Sequence, residues 1–410
     1  MPSTPKLAPS PPSAAAGNGE QQKAAPLSTY RCIYVCIFVA FIFSYICLNL
    51  IPYRLNIAPI DKRKVTPRNA VNSHFNFPKQ LHQLWRDKSS QLSPDLALWL
   101  KNCQEVNPDY VSNFYYDADI QEFIEKNYPE YLPMFNSLYF GNRRLTKNAL
   151  DMARILIAYH YGGIYMAVDY YCHRPFTCLE DIVAQELRDY NSSNLLLVGK
   201  EPLLLSLLSQ NKDRTIGAEW LMSTKKHPFF KWLLDDRKKV YEEQEKSKTK
   251  RDNALKGPFS ASLERDIDRY RAFVIKEMSK DTDLQELIDS DYFLTAGEIF
   301  ELPEGVLHPL VDSTDKHLYL TCEKIGPNAE DSIKAACDNL YAGKLFNPTP
   351  ETIAVHMWAK PGFMDWFSVD TMYRTIAFNR VEQKLPPSLL CPKVKTKYFS
   401  GAIDNTDWGR

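Results

Sequence analysis

Hydrophobic residues recur at helical spacing between residues 147 and 161, in the middle of the chain. The apolar positions follow the 3.6-residue period of an α-helix, and Asp151 and Arg154 fall close to one face of it. Gly162 and Gly163 follow directly. Glycine readily adopts the positive φ that a helix C-terminus often needs, so the sequence predicts that the helix ends at this glycine pair.

A short apolar run, residues 164–168, comes after the glycine pair and ends in Asp169. Its length and composition predict a buried strand that delivers the acid at its end. A carboxylate at the end of a buried strand, beside a helix that carries an acid and a base, is typical of polar sites in α/β enzymes. A solvated loop acid after a core strand is the alternative interpretation.

The alternation of apolar and polar positions continues on both sides of this segment. Predicted strands are Gln80–Trp85, Tyr110–Tyr116, Leu195–Gly199, Trp220–Ser223 and Ile353–Trp358. Predicted helices are Pro94–Glu105 with Ser93 as N-cap, Ala118–Asn127 with Asp117 as N-cap, one that begins near Pro228, a charged solvated helix over 235–251, and Glu264–Met278. Strands that alternate with helices predict an α/β fold with a largely parallel sheet.

An uncharged run from Cys32 to Ile51 precedes all of these elements. It is long enough to cross a bilayer core of ~30 Å as a helix, and it is longer than the apolar region of a cleaved signal peptide. We therefore predict an uncleaved single N-terminal transmembrane helix. The predicted organisation is a disordered cytoplasmic tail at 1–31, a transmembrane signal-anchor at 32–52, a stem at 53–76, a globular domain at 77–385 and a C-terminal tail at 386–410.

The charge balance argues against nucleic acid as a partner. Fifty basic and fifty acidic residues cancel, so no global field attracts a polyanion. Basic residues stand on both sides of the predicted anchor, and counting them does not settle its orientation.

Six of the nine cysteines lie outside the predicted anchor. An even number fits a secretory lumen with disulfides, although many pairings are open. The chain has no C-x-x-C pair, which argues against a structural zinc site. The sequon that begins at Asn191 predicts glycosylation there and supports a luminal domain.

Four residues at the ends of predicted elements carry candidate chemistry: Asp151, Arg154, Asp169 and His356. A divalent cation would bridge Asp169 and His356 and keep positions open for phosphate oxygens. Arg154 would hold a phosphate or a carboxylate in a fork geometry. The pattern indicates metal-assisted transfer from a phosphorylated donor.

The same residues also allow an interpretation without a site. His356 is then a buried core histidine, Asp151 and Arg154 form an ordinary ion pair on a helix, and Asp169 is a turn former. Other enzyme classes lack support, because the chain has no G-x-S-x-G, H-E-x-x-H or P-loop motif. The glycine pair follows a helix, whereas a dinucleotide fingerprint follows a strand.

Four stretches in order complete the pattern: FPKQLHQLW, NPDYVSNFYYDADIQEFIEKNYPE, LDMARILIAYHYGGIYMAVDYY and VHMWAKPG. Together they resemble the DXD sugar-binding glycosyltransferase family, which includes the fungal initiating α-1,6-mannosyltransferases and the inositolphosphoceramide mannosyltransferases. The clostridial glucosylating toxins are more distant relatives. The resemblance is dense from Phe77 to Phe176 and returns at His356.

The resemblance implies a GT-A type nucleotide-sugar-binding fold, Mn²⁺ or another divalent cation as cofactor, retention of anomeric configuration, and a type II protein of the Golgi or another endomembrane. It implies a nucleotide-sugar donor and a glycan or glycolipid acceptor. The implied roles are donor binding and catalysis for Asp151 and Arg154, metal binding and catalysis for Asp169, metal binding for His356, and donor binding for His82, Trp85, Gly162, Gly163 and Trp358.

Ala167 departs from the family pattern, because Asp-x-Asp here reads Ala167-Val168-Asp169. A methyl group cannot accept a hydrogen bond or orient a metal-bound water, and such a loss at a preorganised site costs ~2–4 kcal/mol, or about 10²–10³ in rate. A variant in which another residue fills in, a degenerate pseudoenzyme and an altered sequence all explain it.

The resulting hypothesis is a membrane-anchored hexosyltransferase. Mannose from GDP-mannose is preferred over galactose, glucose or N-acetylglucosamine from a UDP-sugar. The alternative is a catalytically impaired family member that acts as a binding or assembly subunit.

Overall fold

The computed structural model describes residues 77–85, 92–140, 144–145, 147–186, 194–247, 263–278, 297–312 and 315–359, with a few more between 381 and 391. The predicted cytoplasmic tail, signal-anchor and stem, the Asn191 sequon and most of the predicted C-terminal tail lie outside the described residues. Within the described ranges, no helix combines the length and apolar character that crossing a membrane requires.

The described chain alternates between strands and helices. The strands are β1 Gln80–Leu84, β2 Val111–Tyr115, β3 Tyr139–Phe140, β4 Arg144–Leu145, β5 Gly163–Met166, β6 Tyr170–Cys172, β7 Leu195–Lys200, β8 Ile216–Ser223, β9 Glu298–Leu302 and β10 Ala354–His356. The helices are α1 Pro94–Val106, α2 Asp117–Asn127, α3 Leu132–Ser137, α4 Lys147–Tyr161, α5 Thr177–Glu186, α6 Leu203–Gln210, α7 Pro228–Ser247, α8 Leu263–Met278, α9 Lys316–Lys324 and α10 Asp331–Tyr341.

In this part of the chain, six strands form a central sheet in the order β2-β1-β5-β8-β7-β9. β8 runs antiparallel to its neighbours β5 and β7, whereas the other neighbouring pairs are parallel. The prediction of a mixed α/β fold with a mostly parallel sheet is confirmed. Because β8 is reversed, its first residues lie at the edge where the parallel strands β1 and β5 end, here called the carboxyl edge.

Helices cover both faces of the sheet. Buried residues of α4 and α7 share one hydrophobic cluster with Leu221, and those of α1 and α5 share another with Trp220 and Met222. Successive strand residues point to opposite faces, so these neighbours on β8 mark the two sides. Residues 151–158 of α4 are all buried, as in a helix enclosed on every side.

Most predicted elements are confirmed, with local differences. The predicted strand 164–168 ends earlier, at Met166, because the chain turns at Val168 and Asp169. The predicted strand Trp220–Ser223 begins earlier, at Ile216. The C-terminal predicted strand is limited to β10, which pairs with β6 and not with the central sheet.

The predicted N-cap Asp117 is wrong. Tyr116 is the N-cap of α2, and Asp117 is already its first helical residue. The carboxylate of Asp119 accepts the backbone N–H of Tyr116 at 3.0 Å. This reach back from the third helical position satisfies a donor that the helix leaves open.

Three disulfides join the six cysteines outside the predicted anchor, in a pairing that the sequence leaves open: Cys103–Cys172, Cys178–Cys391 and Cys322–Cys337. The first ties α1 to β6, the strand that directly follows Asp169. The position of β6 therefore depends on a covalent link as well as on pairing with β10.

Three histidines are buried as neutral rings. Burial lowers the pKa of His82, His227 and His308 to about 4. At His227, Nε2 lies 3.2 Å from the carbonyl oxygen of Glu298 and Nδ1 lies 3.3 Å from the backbone N of Phe229. Nε2 therefore donates and Nδ1 accepts, which leaves no place for a second proton.

We expect acidification to lower the free energy of unfolding. The folded-state pKa of each of these rings lies below the ordinary value of 6.5, so the unfolded chain binds the extra proton more readily. Their contribution is constant above about pH 6.5 and is lost as the pH falls towards 4. Between about pH 7.5 and pH 5 the loss is roughly 2 kcal/mol per ring. Urea unfolding at a series of pH values measures it.

His227→Gln tests the assignment, since glutamine keeps a donor for Glu298 but does not titrate. Its free energy of unfolding is expected to fall less steeply with acidification than that of the parent protein. His317→Gln changes an exposed ring on α9 and serves as the control. Its free energy of unfolding is expected to fall with acidification as steeply as that of the parent protein. The prediction would be contradicted if the free energy of unfolding of His227→Gln depended on pH as steeply as that of the parent protein.

Candidate functional site

Asp169 lies in the turn between β5 and β6, at the carboxyl edge. β6 and β10 pair antiparallel, which sets His356 opposite Tyr170. The N–H of Met357 donates to the carbonyl oxygen of Asp169 at 2.8 Å. His356 Nε2 lies 3.1 Å from Asp169 Oδ2, although the two residues are 187 positions apart. The structure thus brings the two predicted metal ligands together as a buried carboxylate–imidazole pair.

His356 is enclosed by aromatic rings. Its ring stacks on Tyr170 with centroids 4.8 Å apart and lies 4.3 Å from the indole of Trp358. Burial alone would lower the pKa of His356, but the carboxylate of Asp169 and other nearby acids raise it above the ordinary value. Nδ1 of His356 is buried and has no hydrogen-bond partner among the described residues.

Trp358 has an unusual backbone for a bulky residue. Its φ is 55°, in the left-handed region that such side chains rarely adopt, and its indole N–H donates to the carbonyl oxygen of Leu310 at 2.7 Å. Strained backbone that the surrounding structure holds in place is typical of functional sites. The predicted role of Trp358 in donor binding remains a prediction.

Tyr170 and His308 extend the site, and neither is among the residues predicted from the sequence. The Tyr170 hydroxyl lies 2.6 Å from His308 Nε2, and His308 Nδ1 lies 3.1 Å from the carbonyl oxygen of Lys200. Because His308 is neutral, Nδ1 donates to Lys200 and Nε2 accepts from Tyr170. Adjacency to Asp169 is the signal for Tyr170, whereas no pattern in the sequence points to His308.

Asp151 and Arg154 form a buried ion pair on α4. They lie three positions apart on one helical face, and Arg154 Nη2 is 2.9 Å from Asp151 Oδ1. Arg154 Nη1 also donates to the carbonyl oxygen of Ala218 at 2.8 Å, and its guanidinium lies 5.1 Å from the centre of the Tyr165 ring. Burial opposes the charge of Arg154, but Tyr165 and Asp151 outweigh it and raise its pKa. The pair thus fixes the guanidinium of Arg154 beside the first half of β8.

Trp85 follows β1 at the carboxyl edge. Its backbone N–H donates to the carbonyl oxygen of Tyr115 at 2.9 Å. Its side chain packs in the hydrophobic cluster that contains Val168, Val355 and Met357, the neighbours of Asp169 and His356. The structure therefore places this predicted donor-binding residue on the same side of the sheet as the acid and the imidazole.

His82, Gly162 and Gly163 lie elsewhere, where β5 begins. His82 is fully buried, with Nε2 3.0 Å from the carbonyl oxygen of Gly162 and Nδ1 3.0 Å from the Tyr115 hydroxyl. Both glycines have positive φ, 65° and 80°. The geometry gives the three residues a role in holding the turn between α4 and β5, and their donor-binding role stays a prediction.

The residues at the carboxyl edge fit a divalent cation that is shared with a phosphate ligand. Among the described residues, no group of three or more histidine, cysteine or acidic side chains is placed to hold a metal ion. Cations such as Mg²⁺ are commonly held by one or two carboxylates, waters and substrate phosphates. The carboxylate of Asp169 and the imidazole of His356, which lie 3.1 Å apart, offer such a partial set.

Comparison with known proteins identifies one family over part of the chain. Residues 77–189 match the family described as "Glycosyltransferase sugar-binding region containing DXD motif". Over 181 residues the chain is 27% identical to inositol phosphoceramide mannosyltransferase 1 of Schizosaccharomyces pombe. This alignment covers 43% of this chain and 47% of that protein. Over 103 residues it is 32% identical to inositol phosphoceramide mannosyltransferase 3 of the same yeast, covering 25% and 27%. The resemblance predicted from the sequence is confirmed.

The matched segments span less than half of the length of these two relatives. Among solved structures, the PaToxG glycosyltransferase aligns with 16% identity and a TM-score of 0.32, over 54% of this chain and 88% of its own.

Proposed function

Since residues 77–189 carry the sugar-binding region of the DXD glycosyltransferases, we propose that this chain is a metal-dependent hexosyltransferase with a GT-A type fold. It transfers a hexose from a nucleotide-sugar donor to a glycan or glycolipid acceptor with retention. The observation that carries the proposal is the convergence of two pairs, Asp169–His356 and Asp151–Arg154, on the carboxyl edge of one sheet.

We assign each residue of these pairs a role that its contacts support. Asp169 and His356 would hold a divalent cation, Mn²⁺ or another, and such a cation would supply positive charge to neutralise the leaving nucleotide diphosphate. Arg154 offers its charge to donor oxygens, and Asp151 keeps the guanidinium in place. Trp85 and Trp358 form apolar walls against which a base or a sugar ring packs.

The relatives' names support one choice of donor and acceptor for this proposal. Both yeast proteins are named inositol phosphoceramide mannosyltransferases, which supports mannose from GDP-mannose and a glycolipid acceptor. Galactose, glucose or N-acetylglucosamine from a UDP-sugar remain the other donors to test.

The cellular location is part of the proposal. We place the chain in the Golgi or another endomembrane as a single-pass type II protein with residues 77–385 in the lumen and a glycan on Asn191. The uncharged run from Cys32 to Ile51 supports an anchor. Three disulfides support an oxidising compartment.

A donor panel tests the activity. The full chain in detergent is mixed with GDP- and UDP-sugars and Mn²⁺, and both the melting temperature and the release of nucleotide are measured. One donor is expected to raise the melting temperature and to release nucleotide, and a chelator is expected to abolish both effects. If no sugar of the panel binds or is cleaved, the proposal fails.

Ala167 favours a second candidate, a family member that binds without catalysis. The substitution Ala167→Asp separates the two candidates, because it restores the carboxylate of the family pattern. An inert parent and an active variant would identify the chain as a binding or assembly subunit. Turnover by the parent protein would exclude that candidate.

A further inference from the structure

Ala167 stands where the resemblance implies a carboxylate, and its neighbour across the strand pair is an acid. β5 and β8 pair antiparallel, with Met166 opposite Trp220. The N–H of Ala167 donates to the carbonyl oxygen of Glu219 at 2.8 Å, which extends the ladder by one residue. Opposed residues of an antiparallel pair share a face, with Cβ atoms ~5 Å apart. The side chain of Glu219 therefore starts beside the methyl group of Ala167.

The carboxylate of Glu219 lies over Gly217, towards the carboxyl edge. A Cβ placed on Gly217 would be 3.0 Å from Glu219 Oε2 and 3.0 Å from Cε1 of His308. Glycine at this position thus leaves room for both the carboxylate and the imidazole. The same His308 ring is bound to the hydroxyl of Tyr170, the residue after Asp169.

The charge of Glu219 acts on groups from four elements around the site. Burial has the largest influence on the pKa of Arg154 on α4 and of His356 on β10, and the closer partners already described come next. The negative charge of Glu219 then helps to raise both pKa values. Burial is also the largest cause of the raised pKa values of Tyr165 on β5 and Tyr170 on β6, and the charge of Glu219 adds to it. The geometry agrees for His356, because the His308 ring beside Gly217 lies 6.0 Å, centre to centre, from the ring of His356.

We propose that Glu219 supplies the carboxylate that Ala167 lacks and completes, with Asp169, the site for the cation and the donor diphosphate. This inference rests on the proposed function. Glutamate is one methylene longer than aspartate, which suits a side chain that reaches from β8 towards a position on β5. A separate observation also indicates a missing polar ligand: His356 is only 5% exposed, and its Nδ1 has no partner among the described residues.

An exchange of carboxylates between the two strands tests the proposal. The full chain in detergent is titrated with Mn²⁺ in the presence of GDP or UDP, and free Mn²⁺ is measured by electron paramagnetic resonance. Glu219→Gln is expected to weaken Mn²⁺ binding about tenfold or more. Adding Ala167→Asp to this variant is expected to recover most of the loss. Melting temperatures without ligand show whether each variant is folded.

Glu201→Gln is the matched control. Glu201 follows β7, its N–H donates to the carbonyl oxygen of Thr215, and its charge also acts on His356. It does not lie opposite Ala167, so this variant is expected to bind Mn²⁺ as the parent does. If Glu219→Gln does not fold, Glu219→Asp is used, with an expected loss of a few-fold that Ala167→Asp reverses.

The outcomes separate the inference from the proposed function. Parent-like Mn²⁺ binding by Glu219→Gln, or no recovery on adding Ala167→Asp, would overturn the role of Glu219 and leave the proposed function intact. A parent protein that binds no Mn²⁺ with either nucleotide would overturn both.

Discussion

The Asp169→Asn protein is expected to fold and to lose about 10²–10³ in kcat/KM. Asparagine keeps an oxygen near His356 Nε2, which lies 3.1 Å from Asp169 Oδ2 in the parent, so the local packing is preserved. The negative charge is lost, and a neutral amide oxygen is a weaker ligand for a divalent cation. Steady-state kinetics with the donor identified in the panel, together with the melting temperature, check this expectation.

Asp266→Asn is the matched control for Asp169→Asn. Asp266 is another buried aspartate, and it pairs with Arg237 and Arg269 on α7 and α8. Removing one partner of a buried ion pair costs roughly 3–5 kcal/mol, so this variant is expected to melt earlier. Its kcat/KM at a temperature where it is folded is expected to match the parent value. If Asp169→Asn kept the kcat/KM of the parent protein, the assigned role of Asp169 would be contradicted.

Gly163→Ala is expected to lower the free energy of unfolding by roughly 3–5 kcal/mol. Gly163 has a φ of 80°, and an added Cβ would lie 2.6 Å from the carbonyl oxygen of Gln80. That oxygen belongs to the backbone of β1, so it cannot rotate away, and the pairing of β1 with β5 must open to make room. Urea unfolding measures the change.

Two other glycines separate backbone strain from the steric contact. Gly343 has a φ of 66° but nothing within 4 Å of an added Cβ, so Gly343→Ala is expected to cost about 1 kcal/mol. Gly326 has neither feature, and Gly326→Ala is expected to change stability by less than ~1 kcal/mol. Equal losses at Gly163 and Gly343 would show that the contact with β1 is not the cause.

The sequence predicts features that depend on neighbours along the chain. The apolar period of α4 and the glycine pair after it define a helix of the observed length, because both signals are local. Ser93 is the N-cap of α1 as predicted, and its hydroxyl oxygen accepts the N–H of Leu96. The alternation of such elements then leads to a mostly parallel sheet without further information.

Contacts between distant segments could not be predicted in the same way. Asp169 and His356 meet through the pairing of β6 with β10, and β6 has only three residues, too few to show a period. The predicted strand at 220–223 begins one residue after Glu219, whereas the observed strand begins at Ile216 and includes this acid. Disulfide pairing also depends on distances in the fold, which residue spacing does not contain.

The end of the family match at residue 189 is not a boundary of folding. The matched segment 77–189 contains β5 and β6, but β5 pairs with β8 and β6 pairs with β10, and both partner strands lie after residue 189. A fragment cut there would expose an unpaired strand edge, which invites association between molecules and aggregation. Recombinant fragments should therefore extend at least to Cys391, the disulfide partner of Cys178.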